Sequence, residues 1–413
     1  MAVAASGRYT AGKQDHPTEA PDAIPVPCEP HPDGPALRGL MTEPAPVVSA
    51  PILIFSFTRP DYLRKLLESM RAQRGVTIAD DQVHLMQDGS RSRRSGVVYG
   101  APEMIEGSIA TFREIFPGGH VHAAPDNLGI AMNLHRGETL AFRTLKAEVA
   151  YFFEEDLELG PCYLAMLEQL RTLLAPNPQL GYFACYGDHR RISDPEAPKL
   201  VPMEHHWGFA LTRRCWQAMQ PWLKPFHDIY AQVDYQARPH LGIVELYEDK
   251  PVSSAASSQD VAKTMACADL GFARVNTDVC YARYIGARGE SFQPEQFARL
   301  GYDEMSYVTA MPSCPPEAPS ELIDGIIAAK RAECADHRRN VFPARLEEMR
   351  TRLFNPDRPA TREEIDWLWR LVMDRLPADE AYYAQNAGQR TLRQIRRSLL
   401  RSREAQGKGF YLT

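Results

Sequence analysis

Three consecutive carboxylates, Glu154-Glu155-Asp156, follow directly on the apolar run Val149-Ala150-Tyr151-Phe152-Phe153. Held dry, they would repel one another and lose their hydration. The triplet is therefore either a solvated acidic turn or an oxygen-rich place for a divalent cation. Hard oxygen ligands suit magnesium or manganese, which keep open positions for substrate phosphate oxygens. Asp88, in Gln87-Asp88-Gly89, ends the apolar run Val83-His84-Leu85-Met86 in the same way. It is a turn former or an acceptor for a base N–H. Arg59 follows the run from Ile52 to Phe57 and can pair with phosphate, stack on a base or face solvent. Asp260 follows Ser257-Ser258-Gln259 and opens a helix predicted from Val261 to Leu270, either as its cap or as a general base. Asp234 and Asp228 are its rivals for the second role. Trp207 is a platform for a sugar ring or a core residue. His205-His206 and Asp188-His189 lack the i, i+4 ligand spacing and a third partner, so they read as ordinary polar residues.

The elements around these residues must bring them together. Ile52 to Phe57 has strand length, Pro60 suits the first turn of a helix, and Leu63, Leu66, Leu67 and Met70 recur at helical spacing. The unit then repeats. Val121-His122-Ala123 reads as a strand, with a helix through Leu145; the run before Glu154 is a strand, with a helix marked by Leu164, Leu167, Leu170 and Leu174; Gly181 to Cys185 is the next strand. Strands apolar on both faces, alternating with helices, predict an α/β fold with a mainly parallel sheet flanked by helices. Ligands in such sheets collect beyond the carboxyl ends of the strands, which makes Arg59, Asp88 and Glu154 to Asp156 neighbours. Residues 1–49, rich in Pro, Ala, Gly and acidic residues, read as a disordered tail. The expected divisions are an α/β domain over 50–310, a proline-rich linker over 311–320 and a small all-helical C-terminal module over 321–413. Thr361-x-x-Glu364 and Thr391-x-x-Gln394 are predicted capping boxes in that module.

Composition narrows the function classes. The 413 residues carry a net charge of -6, which argues against nucleic acid as the main partner. No apolar run reaches bilayer-spanning length, although the arginine-rich last helix leaves a peripheral membrane contact open. The 8 cysteines include no Cys-x-x-Cys pair and read as reduced thiols, so the expectation is a cytoplasmic enzyme.

From Pro51 to about Asp303 the chain resembles the GT-A glycosyltransferases, Rossmann-like in fold, and in particular the branch of N-acetylglucosaminyltransferase I and bacterial family-two enzymes. The resemblance is carried in order by Ile52 to Leu67, Gln87-Asp88-Gly89, Asn127-Leu128-Gly129-Ile130-Ala131-Met132-Asn133, Phe153-Glu154-Glu155-Asp156-Leu157, Trp207-Gly208-Phe209-Ala210 and Tyr284-Ile285-Gly286 with Gly289.

The resemblance implies a hexosyl- or N-acetylhexosaminyltransferase. It would take a nucleotide-sugar donor, uridine diphosphate-linked, and transfer its sugar with inversion to a hydroxyl of a glycan, lipid-linked or protein acceptor. Thr58 and Arg59 would border the base, Asp88 would bind uracil, and Asn133 would lie near the nucleotide. Glu154 would face the donor sugar and Glu155 the ribose, where the family pattern has Asp. Asp156 would be the protein ligand of Mn2+ or Mg2+, Arg288 and Ser291 would belong to a loop closing on the diphosphate, Asp260 would be the base and Trp207 would meet the acceptor. Two other readings stand beside this one. A sugar nucleotidyltransferase should carry a glycine-rich loop after the first strand, which Ser56-Phe57-Thr58-Arg59-Pro60 lacks. A catalytically degenerate sugar-binding module would not need intact carboxylates.

Overall fold

The computed structural model describes residues 45–288, 294–312, 316, 318, 320–354 and 357–408. Most of the predicted tail, much of the predicted linker, and Ser291 lie outside these residues. By contacts the chain forms two compact units. One is drawn from the residues up to Arg238 together with Ser258–Arg331, the other from Pro239–Ser257 together with the residues from Ala332 onward.

The first unit is built on an eight-stranded mixed sheet. Its strands are β1 (Ile52–Ser56), β2 (Val83–Gln87), β3 (His120–Ala123), β4 (Val149–Glu154), β6 (Leu180–Phe183), β7 (Leu200–Pro202), β8 (Phe209–Thr212) and β9 (Ala273–Thr277), in the spatial order β3-β2-β1-β4-β8-β6-β9-β7. Strand pairings put β1, β2, β3, β4, β6 and β9 in one direction and β7 and β8 in the other. The expected α/β class, mainly parallel and flanked by helices, is what the structure has. A separate two-stranded ribbon pairs β5 (Leu157–Leu159) with β10 (Ala282–Tyr284), antiparallel.

The helices of this unit are α1 (Pro60–Arg71), α2 (Pro102–Ile115), α3 (Gly129–Thr139), α4 (Tyr163–Leu174), α5 (Arg213–Tyr230), α7 (Gln259–Leu270) and α8 (Pro294–Arg299). All five residues of β1 and of β2 are buried, as strands covered on both faces must be. In α1, Pro60 stands at the start, where its missing N–H costs nothing, and Leu63, Leu66, Leu67 and Met70 form the buried stripe. The chain steps outward from β1 to β2 and β3, then returns to lay β4 on the other side of β1, with Phe55 opposite Glu154. That reversal makes the β1–β4 seam a topological switch point, beyond whose carboxyl ends open α/β sheets bind ligands.

The second unit includes α6 (His240–Glu245), α10 (Phe342–Phe354), α11 (Arg362–Met373), α12 (Glu380–Asn386), α13 (Leu392–Leu400) and α14 (Arg403–Gly407); α9 (Ser320–Asn340) runs across the division of the chain. Arg350 ties α10 to Glu245 and Glu248. Ile365, Trp369, Val372, Tyr383, Ile395 and Leu399 form a core for the C-terminal helices. Both predicted capping boxes are present, at Thr361 with Glu364 and at Thr391 with Gln394. No helix among the described residues is long and apolar enough to cross a membrane.

Candidate active site

The acidic triplet divides as soon as the strand ends. Glu155 turns back towards β1 and is 2% exposed. Its Oε2 accepts from Ser56 Oγ at 2.5 Å and from the Phe57 amide at 3.0 Å, and its Oε1 from Arg59 Nε at 2.7 Å. Burial pushes its carboxyl above the ordinary range, while Arg59 and these hydrogen bonds pull it back. Glu155 is therefore an anchor between β1 and β4, its oxygens committed to protein donors.

Asp156 turns towards β10. Its Oδ2 lies 3.0 Å from Arg59 Nη1 and 3.4 Å from the Tyr284 hydroxyl, and its carbonyl accepts from the Ile285 amide at 2.8 Å. Its Oδ1 is buried with no hydrogen-bond partner among the described residues. The β5–β10 ribbon makes this approach possible by placing Leu157 opposite Tyr284. Gly286 is required there, because a Cβ would lie 2.3 Å from the Tyr284 hydroxyl and 2.9 Å from Asp156 Oδ2.

Glu154, the last residue of β4, makes no side-chain hydrogen bond among the described residues. Its carboxyl is pushed well above the ordinary range by burial first, then by Asp156 and Asp260. Asp260 comes from the first turn of α7, where the cap is Ser258, whose Oγ accepts from the Val261 amide. The Asp260 side chain is thus free of capping and 45% exposed. Burial still pushes its carboxyl upwards, against Lys263, Arg274 and a hydrogen bond from the Gln259 side-chain Nε2. A carboxylate ringed by protein yet reached by water is what the floor of a cleft provides. The same region holds Tyr235, whose phenol is pushed up to about 12 by burial, against Arg238; the charges of Asp260 and Glu154 also raise it. His206 Nδ1 lies 3.7 Å from Asp260 Oδ1, with burial holding the imidazole neutral.

Beneath Asp260, Lys263 Nζ donates to Glu138 Oε1 at 2.5 Å, and the two side chains are only 3% and 1% exposed. This pair ties α7 to α3.

Other sequence-predicted residues fall elsewhere. Asp88 Oδ1 accepts from the Gly89 and Leu128 amides and its Oδ2 from the Gly129 amide and Asn127, so the carboxylate fixes the turn into α3. Gly129 there has a φ of 74°, open to glycine at little cost. Asn133 is buried, donating to the Met86 carbonyl at 2.9 Å and accepting from Arg136. Thr58 packs its methyl against Gly100. Arg288 pairs with Asp61 at 2.8 Å and donates its amide to the Tyr62 hydroxyl. Trp207 is sandwiched, with His205 stacked at 4.1 Å and Tyr284 at 4.5 Å, so neither face of the indole is open to a sugar. Asp234 accepts from Ser92, Ser95 and Tyr99, which outweigh burial and hold it below its ordinary range. Asp228 pairs with Lys224 on the surface of α5.

The structure thus joins Arg59, Glu154, Glu155 and Asp156 with Asp260, and leaves Asp88, Asn133 and Trp207 in supporting positions. Ser56, Tyr284 and Tyr235 lie among these residues and were given no role from the sequence, and His206, read there as an ordinary polar residue, stands beside Asp260. Tyr284 carried a signal in its Tyr-Ile-Gly context; Ser56 carried none. Among the described residues no three His, Cys, Asp or Glu side chains make a metal-ligand set by themselves.

Neither a protein-family model nor a curated protein sequence matches the chain. Solved structures similar to it include S. aureus TarS, at 11% identity over 79% of this chain and 48% of that one, with a TM-score of 0.36. S. aureus TarS 1–349 is 12% identical over 71% of this chain and 73% of that one, with a TM-score of 0.33. CMP:2-keto-3-deoxy-manno-octonic acid synthetase complexed with CTP is 14% identical over 42% of this chain and 78% of that one, with a TM-score of 0.26. The chain spans about half the length of the first of these.

Proposed function

We propose that the protein is a glycosyltransferase that moves a sugar from a uridine diphosphate donor to an acceptor hydroxyl with inversion. The observation that carries this reading is the meeting of Arg59, Glu154 and Asp156, at the carboxyl ends of β1 and β4, with Asp260 from the start of α7. Three carboxylates and a guanidinium from three separate segments supply a base, a contact for sugar hydroxyls and a place for diphosphate charge.

In this reading Asp260 takes the acceptor proton as the hydroxyl oxygen attacks the sugar carbon and the diphosphate departs. Burial, then the charges of Asp156 and Asp260, push the Glu154 carboxyl well above its ordinary range, so in this reading Glu154 carries the proton. That leaves Asp260, kept lower by Lys263 and Arg274, as the ionised member. A neutral Glu154 then donates a hydrogen bond to the donor sugar. The residues present fit a divalent cation at one point, the buried and unpartnered Oδ1 of Asp156. Mn2+ or Mg2+ bound there would take its other ligands from diphosphate and water and would neutralise leaving-group charge.

A panel of nucleotide sugars titrated calorimetrically with and without chelator tests this reading. Metal-dependent binding of a uridine diphosphate sugar is expected. Asp260→Asn should keep that binding and lower turnover, measured as donor hydrolysis or transfer, by at least about a hundredfold. Binding of no nucleotide sugar would overturn the proposal; unchanged turnover in Asp260→Asn would remove Asp260 as the base.

A further inference from the structure

The cation that touches Asp156 belongs to the protein. Arg59 reaches Glu155 through Nε at 2.7 Å, and Asp156 and the Arg288 carbonyl through Nη1 at 3.0 and 3.3 Å. The two carboxylates are held very differently. Glu155 is fixed by Ser56 and Phe57 whatever Arg59 does. Among the described residues, Asp156, 5% exposed, has an Oδ1 with no partner and an Oδ2 whose hydrogen-bonding neighbours are Arg59 and, at 3.4 Å, the Tyr284 hydroxyl. One half of its carboxylate is thus desolvated without compensation from the described residues, and the other depends on a guanidinium that is itself 27% exposed.

We propose that Arg59 is an exchangeable internal counter-ion. It neutralises Asp156 while the site is empty and yields that carboxylate to a divalent cation that enters with a diphosphate. The inference rests on the reading of Asp156 as the metal ligand. A dication on one carboxylate cannot tolerate a guanidinium against the same group, because the like charges repel at such short range. Arg59 has another destination within reach, since a guanidinium matches phosphate oxygens as well as it matches carboxylates. In the empty site the cation must displace Arg59 with nothing to receive it. With the diphosphate present both cations find oxygens, so nucleotide and metal strengthen each other's binding. Glu155 keeps Nε in place throughout and makes the exchange a swing of one side-chain end.

The test is a calorimetric titration of the full chain with Mn2+, with and without uridine diphosphate, for the native protein, Arg59→Met, Arg59→Lys and Asp156→Asn. Thermal unfolding is followed in chelator and in Mn2+. Without nucleotide, Arg59→Met should bind Mn2+ about tenfold more tightly than the native protein. Its melting temperature should fall in chelator and recover with Mn2+. Arg59→Lys should be intermediate, because one ammonium cannot span Glu155 and Asp156, and Asp156→Asn should lose Mn2+ throughout. Should Arg59→Met be unfolded in chelator, its refolding yield on adding Mn2+ becomes the readout, and no recovery counts against the exchange. A folded Arg59→Met that binds Mn2+ no more tightly overturns the exchange and leaves Asp156 as ligand. Absence of Asp156-dependent Mn2+ binding in every protein, even with uridine diphosphate, overturns the metal reading and the exchange together.

Discussion

Replacing Lys263 by Met tests whether the site rests on a dry ion pair. Lys263 and Glu138 are 3% and 1% exposed and in contact at 2.5 Å, and Glu138 Oε2 has no partner among the described residues. Removing one member of such a pair leaves an uncompensated buried charge, which costs about 3–5 kcal/mol. A unit of this size loses roughly 2 °C of melting temperature per kcal/mol, so the expected fall is roughly 6–10 °C. The assay is urea and thermal unfolding by circular dichroism for Lys263→Met, Glu138→Leu and the double variant. In the double variant two apolar side chains fill the space of the pair, and most of the loss should return, since well-packed apolar replacements of buried pairs are often neutral. Asp260 adds a second readout. Burial raises its carboxyl and Lys263 is the largest influence opposing that rise, so Lys263→Met should move the acid limb of turnover to higher pH. A cost below about 1 kcal/mol would show that water or Arg274 compensates Glu138, refuting the dry pair. A double variant as unstable as the worse single one would assign the loss to packing.

Other consequences can be checked directly. Burial, with His120 and His122 beside it, lowers the His84 imidazole to about 4, against Asp81. The unfolded chain therefore binds a proton that the folded one refuses, and stability should fall as pH drops from about 6.5 towards about 4. His84 alone would contribute about 2 kcal/mol between pH 7 and pH 5, visible in urea midpoints and absent from a His84→Gln variant. Gly286→Ala forces a Cβ against Tyr284 and Asp156. It should weaken Mn2+-dependent nucleotide binding at least about tenfold, at a stability cost of about 1–3 kcal/mol measured by urea unfolding; unchanged binding would place Asp156 outside the site. Asp234→Asn removes the charge and one of the two oxygens that accept from Ser92, Ser95 and Tyr99. It should speed proteolysis within residues 90–100 while nucleotide binding persists, and lost turnover with an intact loop would instead make Asp234 the base.

The sequence by itself determined the local elements. Buried strands announce themselves as short apolar runs, Pro60 and the two capping boxes mark helix starts, and the break from Phe153 to Glu154 marks a strand end because charge cannot follow the strand into the sheet. Those features sufficed for the α/β class and for placing the acidic triplet at a strand end. Only the tertiary structure decided what each carboxylate does. The pairing of β1 with β4 sets Phe55 opposite Glu154 and so turns Glu155 onto Ser56 and Arg59. The β5–β10 ribbon hands Asp156 to Tyr284 across more than a hundred residues. Asp88 and Trp207 have side chains suited to ligands, yet the turn into α3 uses every oxygen of the first, and His205 and Tyr284 cover both faces of the second. A side chain's chemistry is local, but its hydrogen-bonding capacity is finite, and whether any remains for a ligand depends on partners that distant segments bring.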